Sequence, residues 1–465
     1  MPILGEARRT SRMGPPLFTK LHKLIVAGRA GWYTVSVLLT AFGALALTIS
    51  LVVGRPHIAR IGRLDPAIGA IPGVLLMLAT GVLAWHDILR GATLLWRPLL
   101  TVASVMAMTS VAHRLGILDR VARSIEIRTR GAVTRAFTTV YVIGALTAAI
   151  FNNDAAILLL TPIIIPLIAR LYPRRQYLVV PFGFAVFVSA GIAPLCTSNP
   201  MNLVVAERVG LGFNAYALRM LPVAAAGSLV SYLMLRVAFR KELEDSIPAR
   251  GPEHGSLAPM ESSANAVLII LGAMLLSYPI LSYFDGPVWV AAACGALIIC
   301  IVGVRDGRLT VGQAFGSVAW DVLAFLFVIF VTALGLENVG LTHAIAQIYA
   351  SAGEHTGAQI GLTGAVSAVG SAVLNNHPAA ALNALAIGEL PGDKTWRTLA
   401  ALVGGDLGPR FLPMGSLAGL LWIEMLHRLG VEIRTTDFVR TGVLVTVPTL
   451  IVSLGLLWLE AYFLG

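Results

Sequence analysis

Charge is what this chain of 465 residues has least of: 12% of them are Asp, Glu, Lys or Arg, against about 25% in an average soluble domain. So few charges cannot clothe a large globular surface. With 57% hydrophobic residues and a mean hydropathy of +0.81, most apolar side chains face lipid or one another. Cysteine is scarce too. Cys196, Cys294 and Cys300 lie in apolar stretches without CxxC spacing, which supports neither a disulfide framework nor a zinc site and reads as small buried thiols. Walker A, Gly-x-Ser-x-Gly and His-Glu-x-x-His sequences and glycosidase-like carboxylate pairs are all missing. ATP hydrolysis by this chain, an enzyme, a cofactor and a metal are therefore not expected. Acidic residues number 24 against 34 Lys and Arg, a net charge of +10. That excess is no nucleic-acid footprint, because the basic residues sit between apolar runs and act as topology signals.

What is present is length of apolar sequence. Runs able to cross a hydrocarbon core of about 30 Å as a helix of about 20 residues are Trp32 to Gly54, Pro66 to Ala84, Thr93 to Val111, Tyr216 to Ala238, Asn265 to Phe284, Gly286 to Val304, Ser317 to Leu336 and Phe438 to Phe463. Two further apolar regions, 132–209 and 357–428, are interrupted by Asn, Asp, Pro and Gly clusters. The first 31 residues form a basic tail. The run after it is too long, and lacks an Ala-x-Ala site, for a signal peptide. Residues 241–264, rich in Glu, Pro, Ser and Gly, read as a cytoplasmic linker between a first membrane repeat, 32–240, and a second, 265–465.

The repeat is visible in the residues. Phe151-Asn152-Asn153-Asp154-Ala155-Ala156 returns as Leu374-Asn375-Asn376-His377-Pro378-Ala379, Arg114-Leu115-Gly116-Ile117-Leu118-Asp119 as Glu337-Asn338-Val339-Gly340-Leu341-Thr342, and Arg208-Val209-Gly210 as Arg428-Leu429-Gly430. Three matches in one order point to a duplicated half-unit, the plan of many secondary transporters. Five spans plus one hairpin per half, with the first span running inward, put about 21 Lys or Arg in inside loops and about 6 outside, as the positive-inside rule asks. The basic tail opposes this count: either it is translocated, or residues 14–31 form an interfacial helix or another crossing. The expected fold is an all-α polytopic membrane protein of about ten transmembrane helices in two inverted repeats, each with a re-entrant hairpin and a broken helix.

A helix may break in hydrocarbon only where its freed backbone faces protein or a water-filled cavity. Asn152-Asn153-Asp154 joins two apolar arms, Ala132 to Phe151 and Ala155 to Leu171, as the tip of such a hairpin. Asn375-Asn376-His377-Pro378 is its counterpart, with Pro378 suited to a first helical turn. Each hairpin is followed by a break: Cys196-Thr197-Ser198-Asn199-Pro200-Met201-Asn202 in one half, and Gly404-Gly405-Asp406 through Pro413-Met414-Gly415-Ser416 in the other. Two tips and two breaks meeting at the repeat interface would form a midplane substrate site of hydroxyl and amide groups, drawn from Asn152, Asn153, Thr197, Ser198, Asn199, Asn202, Asn375, Asn376, His377, Gly415 and Ser416. The plainer alternative is that these residues only cap buried helix ends.

Asp154 and Asp406 are the carboxylates inside these clusters. A charge at bilayer depth costs about 2.5–3.5 kcal/mol even on a mild scale, which makes both candidate proton carriers. Asp406 has an alternative, a static salt bridge with Arg410 one helical turn on. His377 either shares in proton coupling or lines the site as a hydrogen-bonding group. Asp321, beside Trp320, reads as interfacial, and Trp and Tyr near span ends as interface anchors.

These motifs are familiar. The Asn152 cluster running into Leu160-Thr161-Pro162-Ile163, then Thr197-Ser198-Asn199 with Asn202-Leu203-Val204 and Gly210-Leu211-Gly212-Phe213, resembles the arsenite/antimonite efflux permease (ArsB) family. So do Asn375-Asn376 with Pro378, Gly405-Asp406-Leu407-Gly408-Pro409, Pro413-Met414-Gly415-Ser416-Leu417-Ala418 and Leu421-Trp422. The likeness runs from about residue 32 to the end; the tail and the linker fall outside it. It implies membership of the ion transporter superfamily, inverted repeats with re-entrant hairpins, an elevator-type motion, and location in a bacterial-type plasma (inner) membrane. It also implies export of trivalent arsenic or antimony as the trihydroxide in exchange for protons, conferring arsenic resistance, alone or with a separate arsenite-stimulated ATPase. His377 departs from the pattern, since other residue types can follow the paired asparagines. An uncharged trihydroxide suits hydroxyl and amide ligands, and three thiolates would hold it too tightly for turnover. Cys196, beside a break, is the cysteine nearest to cargo. Sodium-coupled carboxylate carriers and sodium/proton antiporters of the same superfamily are the rival readings, although Asp154 and Asp406 would repel a dicarboxylate.

Overall fold

The computed structural model describes residues 39–52, 57–58, 62–63, 66–117, 120, 123, 132–244, 261–284, 286–316 and 318–464. The basic tail 1–31 and most of the linker, 245–260, lie outside these residues.

In hydrocarbon each backbone N–H and C=O has to be satisfied within its own segment, and long apolar runs therefore become helices. The first half contains α1 (Leu39–Val52), α2 (Pro66–Ala79), α3 (Trp85–Arg114), α4 (Val133–Ile150), α5 (Asn153–Leu171), α6 (Val179–Ser189), α7 (Pro200–Arg208) and α8 (Phe213–Ala238). The second contains α9 (Ser262–Tyr283), α10 (Val288–Arg305), α11 (Trp320–Asn338), α12 (Leu341–Ala350), α13 (Thr356–Leu374), α14 (Asn376–Glu389), α15 (Thr395–Leu407), α16 (Leu417–Arg428) and α17 (Thr435–Leu464). Among the described residues the paired strands are a two-residue ladder, His57–Ile58 against Gly62–Arg63. Nine of the described helices are long and apolar enough to cross a membrane, and Leu39–Val52, Pro66–Ala79 and Gln176–Ser189 are shorter apolar helices. The protein is an all-α polytopic integral membrane protein.

Helices α13 to α17 repeat α4 to α8 in kind and order: a hairpin, a helix that breaks, its continuation, and a long final helix. Left-handed glycines recur with them at the helix ends, Gly116 (φ 71°) with Gly340 (φ 84°) and Gly210 (φ 73°) with Gly430 (φ 77°). The packing is reciprocal. Helix α3 lies against α10 and α2 against α11, α5 against α16 and α14 against α7, and the two final helices, α8 and α17, lie against each other. Contacts that survive exchange of the halves are the signature of a two-fold relation, and inverted repeats about an in-plane axis have this form.

Hydropathy alone placed the start of the third span at Thr93, but α3 begins at Trp85. Its polar first turns are held by the second half. Asp87, 3% exposed, accepts from the Ala84 N–H and from Asn338 Nδ2, and Arg90 forms an ion pair with Glu337 at 2.9 Å. One end of α3 is thus fastened to the last turn of α11. A second core binds the hairpin α4–α5 and α6 to α16, where Phe187 stacks on the fully buried Trp422 with ring centroids 4.7 Å apart.

Candidate functional site

The first break frees backbone groups on both of its sides. Helix α6 stops at Ser189 and α7 starts at Pro200, leaving the Val188 carbonyl and the Ala193 N–H without helical partners. Two charged side chains from the other half serve them. The Asp406 carboxylate accepts from Ala193 N at 2.9 Å, from Asn199 Nδ2 at 2.7 Å and from Asn202 Nδ2 at 2.9 Å. Arg410 donates to the Val188 carbonyl, and from Nη1 to Ser231 Oγ at 3.0 Å. Among the described residues Asp406 and Arg410 form no salt bridge, which corrects the static pair. The i,i+4 spacing loses its meaning here because α15 ends at Leu407 and a 3-10 turn, Gly408–Arg410, carries the arginine round to another face. The two charges straddle the break, the anion on its N–H side and the cation on its carbonyl side. Tyr216 completes this layer by accepting from Asn202 Nδ2 and donating to the Ala193 carbonyl, both at 2.9 Å.

The second break, between Leu407 and Leu417, is served by neutral groups. Ser371 Oγ donates to the Gly405 carbonyl at 2.8 Å, Ser367 Oγ to the Ala401 carbonyl at 2.6 Å and Asn375 Nδ2 to the Met414 carbonyl at 3.2 Å. Ser416 caps α16, its Oγ accepting from the Gly419 N–H at 2.9 Å. Gly415 has a packing reason: a Cβ there would lie 2.6 Å from Cα of Pro409.

The tips differ as well. Asn152 caps α5, accepting from the Ala155 N–H at 2.6 Å with extended backbone (φ −169°). Asn375 caps α14 from φ 78°, the one non-glycine residue among those described in the left-handed region, a strain of about 1–3 kcal/mol. Asn153 Nδ2 donates to the Gly191 carbonyl and Ser198 Oγ to the Ala149 carbonyl, which sews the first tip to the first break.

Asp154 and His377 occupy equivalent positions in the two tips and face one cavity of about 280 Å³. Its walls are α3 (Thr109, His113), α5 (Asp154, Leu158), the start of α11 and the start of α16. The Asp154 carboxylate is half-buried and has no hydrogen-bond or ion-pair partner among the described residues. His377 is 1% exposed, lies edge-on to Phe325, and its buried Nε2 is unpartnered. The buried Oδ1 of Asn376, next in the tip, is unpartnered too. A carboxylate and an imidazole with free lone pairs or protons, in a space large enough for a small solute, can bind a neutral polyhydroxy molecule and exchange protons with it.

The sequence-derived residues therefore fall into four settings. Asp154, His377 and Asn152 line the cavity; Asn199, Asn202 and Asp406 form the charged layer under the first break; Asn153, Ser198, Asn375 and Ser416 hold tips to breaks or cap helices; and Gly415 packs against Pro409. Thr197 is buried in the first break. Cys196 is buried against the same core, but Cys294 is exposed on α10 and does not fit the reading of three buried thiols. Sequence reasoning missed His113 and Thr109, which carry no signal on an otherwise apolar helix. It also missed Tyr216, taken with the interface anchors and in fact fully buried. A third network, Tyr349 OH to Asn383 Oδ1 and Asn383 Nδ2 to Ser367 Oγ at 2.8 Å, could have been suspected from an asparagine inside an apolar helix.

The arsenical pump membrane protein model matches residues 39–460. The arsenical pump membrane protein of Escherichia coli K12 is 30% identical over 441 residues, covering 92% of this chain and 100% of that one. The one from Yersinia enterocolitica is 29% identical, covering 91% and 99%. Among solved structures, the YdaH transporter of Alcanivorax borkumensis superposes with a TM-score of 0.59 at 14% identity, covering 93% of this chain and 98% of that one, and shares the fold. On the family match and the full-length relatives, the chain belongs to the arsenical pump membrane protein family, ArsB.

Proposed function

We propose that the protein exports trivalent arsenic or antimony, as the uncharged trihydroxide, in exchange for protons, and that cargo and proton compete for Asp154. The observation that carries this reading is the Asp154 carboxylate, without a hydrogen-bond or ion-pair partner among the described residues, in a cavity it shares with its repeat counterpart His377. A carboxylate accepts O–H donors from a trihydroxide on both oxygens, whereas a carboxylic acid has used one oxygen to hold its own proton. Cargo therefore favours the ionised form and a proton displaces it, which is what exchange requires. The Nε2 of His377 supplies a further polar contact from the other tip.

The hairpins α4–α5 and α13–α14 act as re-entrant elements whose tips meet the breaks at mid-membrane. The cavity opens between the last turns of α3 and the start of α11, the side of the arginine-rich loops and hence the cytoplasm. Cargo enters there and binds ionised Asp154. An elevator-type movement carries the tips and breaks across, protonation from outside releases the cargo, and the protonated carrier returns. Asp406 has a different task in this scheme. Its partners are N–H donors, which match a carboxylate, and it clamps the first break alongside Arg410.

Liposomes containing only this protein, with an acid interior and neither sodium nor ATP present, test the reading. Arsenite accumulation that collapses with a protonophore is expected. Sodium-dependent uptake of citrate or succinate, sodium flux without metalloid, or uptake only with an added ATPase would each replace it with a rival.

A further inference from the structure

A cavity of about 490 Å³ lies away from the tips, between α3 and α10, within the roughly 300–1,000 Å³ typical of small-molecule sites. Its floor is Ala103, Ala107, Ala296 and Ile301, an almost wholly apolar lining. The short helix Val311–Gly316 covers one end. That helix is a built element: the Thr310 N–H donates to Gln313 Oε1 and the Gln313 N–H to Thr310 Oγ1, while Trp320 Nε1 donates to the Phe315 carbonyl. Val311, Phe315 and Trp320 line the same end and are 62%, 66% and 55% exposed.

At this rim stands Arg305, exposed, at the last turn of α10. Its neighbour Arg308 is engaged by Glu261 at 2.7 Å and by Asp306 at 3.7 Å, but among the described residues no carboxylate pairs with Arg305. An apolar slot that ends at an unpaired guanidinium, beside a tryptophan, has the polarity profile of a phospholipid: acyl chain in the slot, phosphate at the arginine, with the indole at headgroup level. A soluble anion would have no use for the apolar floor, and an uncharged apolar solute none for the arginine.

We infer that this groove binds an anionic phospholipid of the cytoplasmic leaflet, with its phosphate on Arg305. The site is independent of cargo and proton binding but touches the same machinery. Ala103, Ser104 and Ala107 form one face of α3, and Met106, Thr109 and His113 on another face wall the Asp154 cavity. A bound lipid steadies the wall against which the first hairpin works.

Native mass spectrometry of the purified protein, loaded from vesicles of mixed phosphatidylglycerol and phosphatidylcholine, tests this. The wild type should retain phosphatidylglycerol about fivefold over phosphatidylcholine, the preference one surface cation supplies. Arg305→Gln should remove that preference and Arg305→Lys keep most of it. Ala296→Leu, which fills the slot without touching charge, should lower retention of both lipids. Equal retention of the two lipids by the wild type, or an undiminished preference in Arg305→Gln, overturns the inference. Filling the slot also exposes a false positive: unchanged retention in Ala296→Leu would show that the lipid sits elsewhere.

Discussion

Helix α3 packs against α7 and α11 packs against α14, whereas the pairs that the two-fold relates to these, α11 with α16 and α3 with α5, form the walls of the Asp154 cavity. The same parts pack directly together on one face of the molecule and enclose a cavity of about 280 Å³ on the other. The directly packed face is also the fastened one, because the Arg90–Glu337 ion pair and the Asn338–Asp87 hydrogen bond join α3 to α11 at that end. Under the proposed exchange, two faces built alike but packed differently correspond to one state of the carrier, and exchanging them gives the other.

The carboxylates repeat this contrast at the scale of single groups. Asp406 is 7% exposed and holds three N–H donors; Asp154 is half-buried and holds none among the described residues. In the proposed scheme the saturated charge is a strut, and the unsatisfied one facing the cavity is the binding group. The breaks differ in the same sense. Charge stabilises the first, and serines and an asparagine the second.

The largest effect expected is on exchange. Asp154→Asn keeps the size and the cap above it but removes the titrating group, and proton-driven arsenite uptake in liposomes should fall to the level of empty vesicles while the thermal unfolding temperature stays near that of the wild type. Asp406→Asn should do the reverse of a clean functional variant. Removing one member of a buried charged network costs about 3–5 kcal/mol, so unfolding of the purified protein should come markedly earlier. Arg410→Gln in that background should cost less than it does alone, by about 0.5–3 kcal/mol of coupling. A stable Asp406→Asn protein that has lost only proton coupling would erase the distinction between the two carboxylates.

Smaller effects sharpen the comparison of the breaks. Gly415→Ala drives a methyl group into Pro409 and should destabilise by about 1–3 kcal/mol. Ser371→Ala removes one neutral hydrogen bond to the Gly405 carbonyl and should cost only about 1 kcal/mol. Both are read as shifts in thermal unfolding, and a Ser371→Ala loss as large as that of Asp406→Asn would mean that the neutral and charged breaks are equivalent.

The places where the helices turn or break were legible because Asn, Asp, Ser and Pro in apolar sequence are conspicuous and costly. The arms expected at Ala132 to Phe151 and Ala155 to Leu171 differ by two residues or fewer from α4 and α5. What separates Asp154 from Asp406 was not legible, because nothing local distinguishes them. The partners of Asp406 lie more than 200 residues away, at Ala193, Asn199 and Asn202. Helical spacing pointed to Arg410, but the helix ends before reaching it. His113 and Thr109 enter the cavity only because α3 is brought to α5 by the fold.

The claim at the centre of this account is that cargo and proton compete for one carboxylate. Calorimetric titration of the purified protein with arsenite, in buffers of different ionisation enthalpy across a range of pH, measures it directly. A proton competing with cargo requires binding to tighten as pH rises and to release protons, and both effects should vanish in Asp154→Asn and persist in His377→Gln. Arsenite binding that releases no proton in the wild type, or the same proton release in Asp154→Asn, would contradict it.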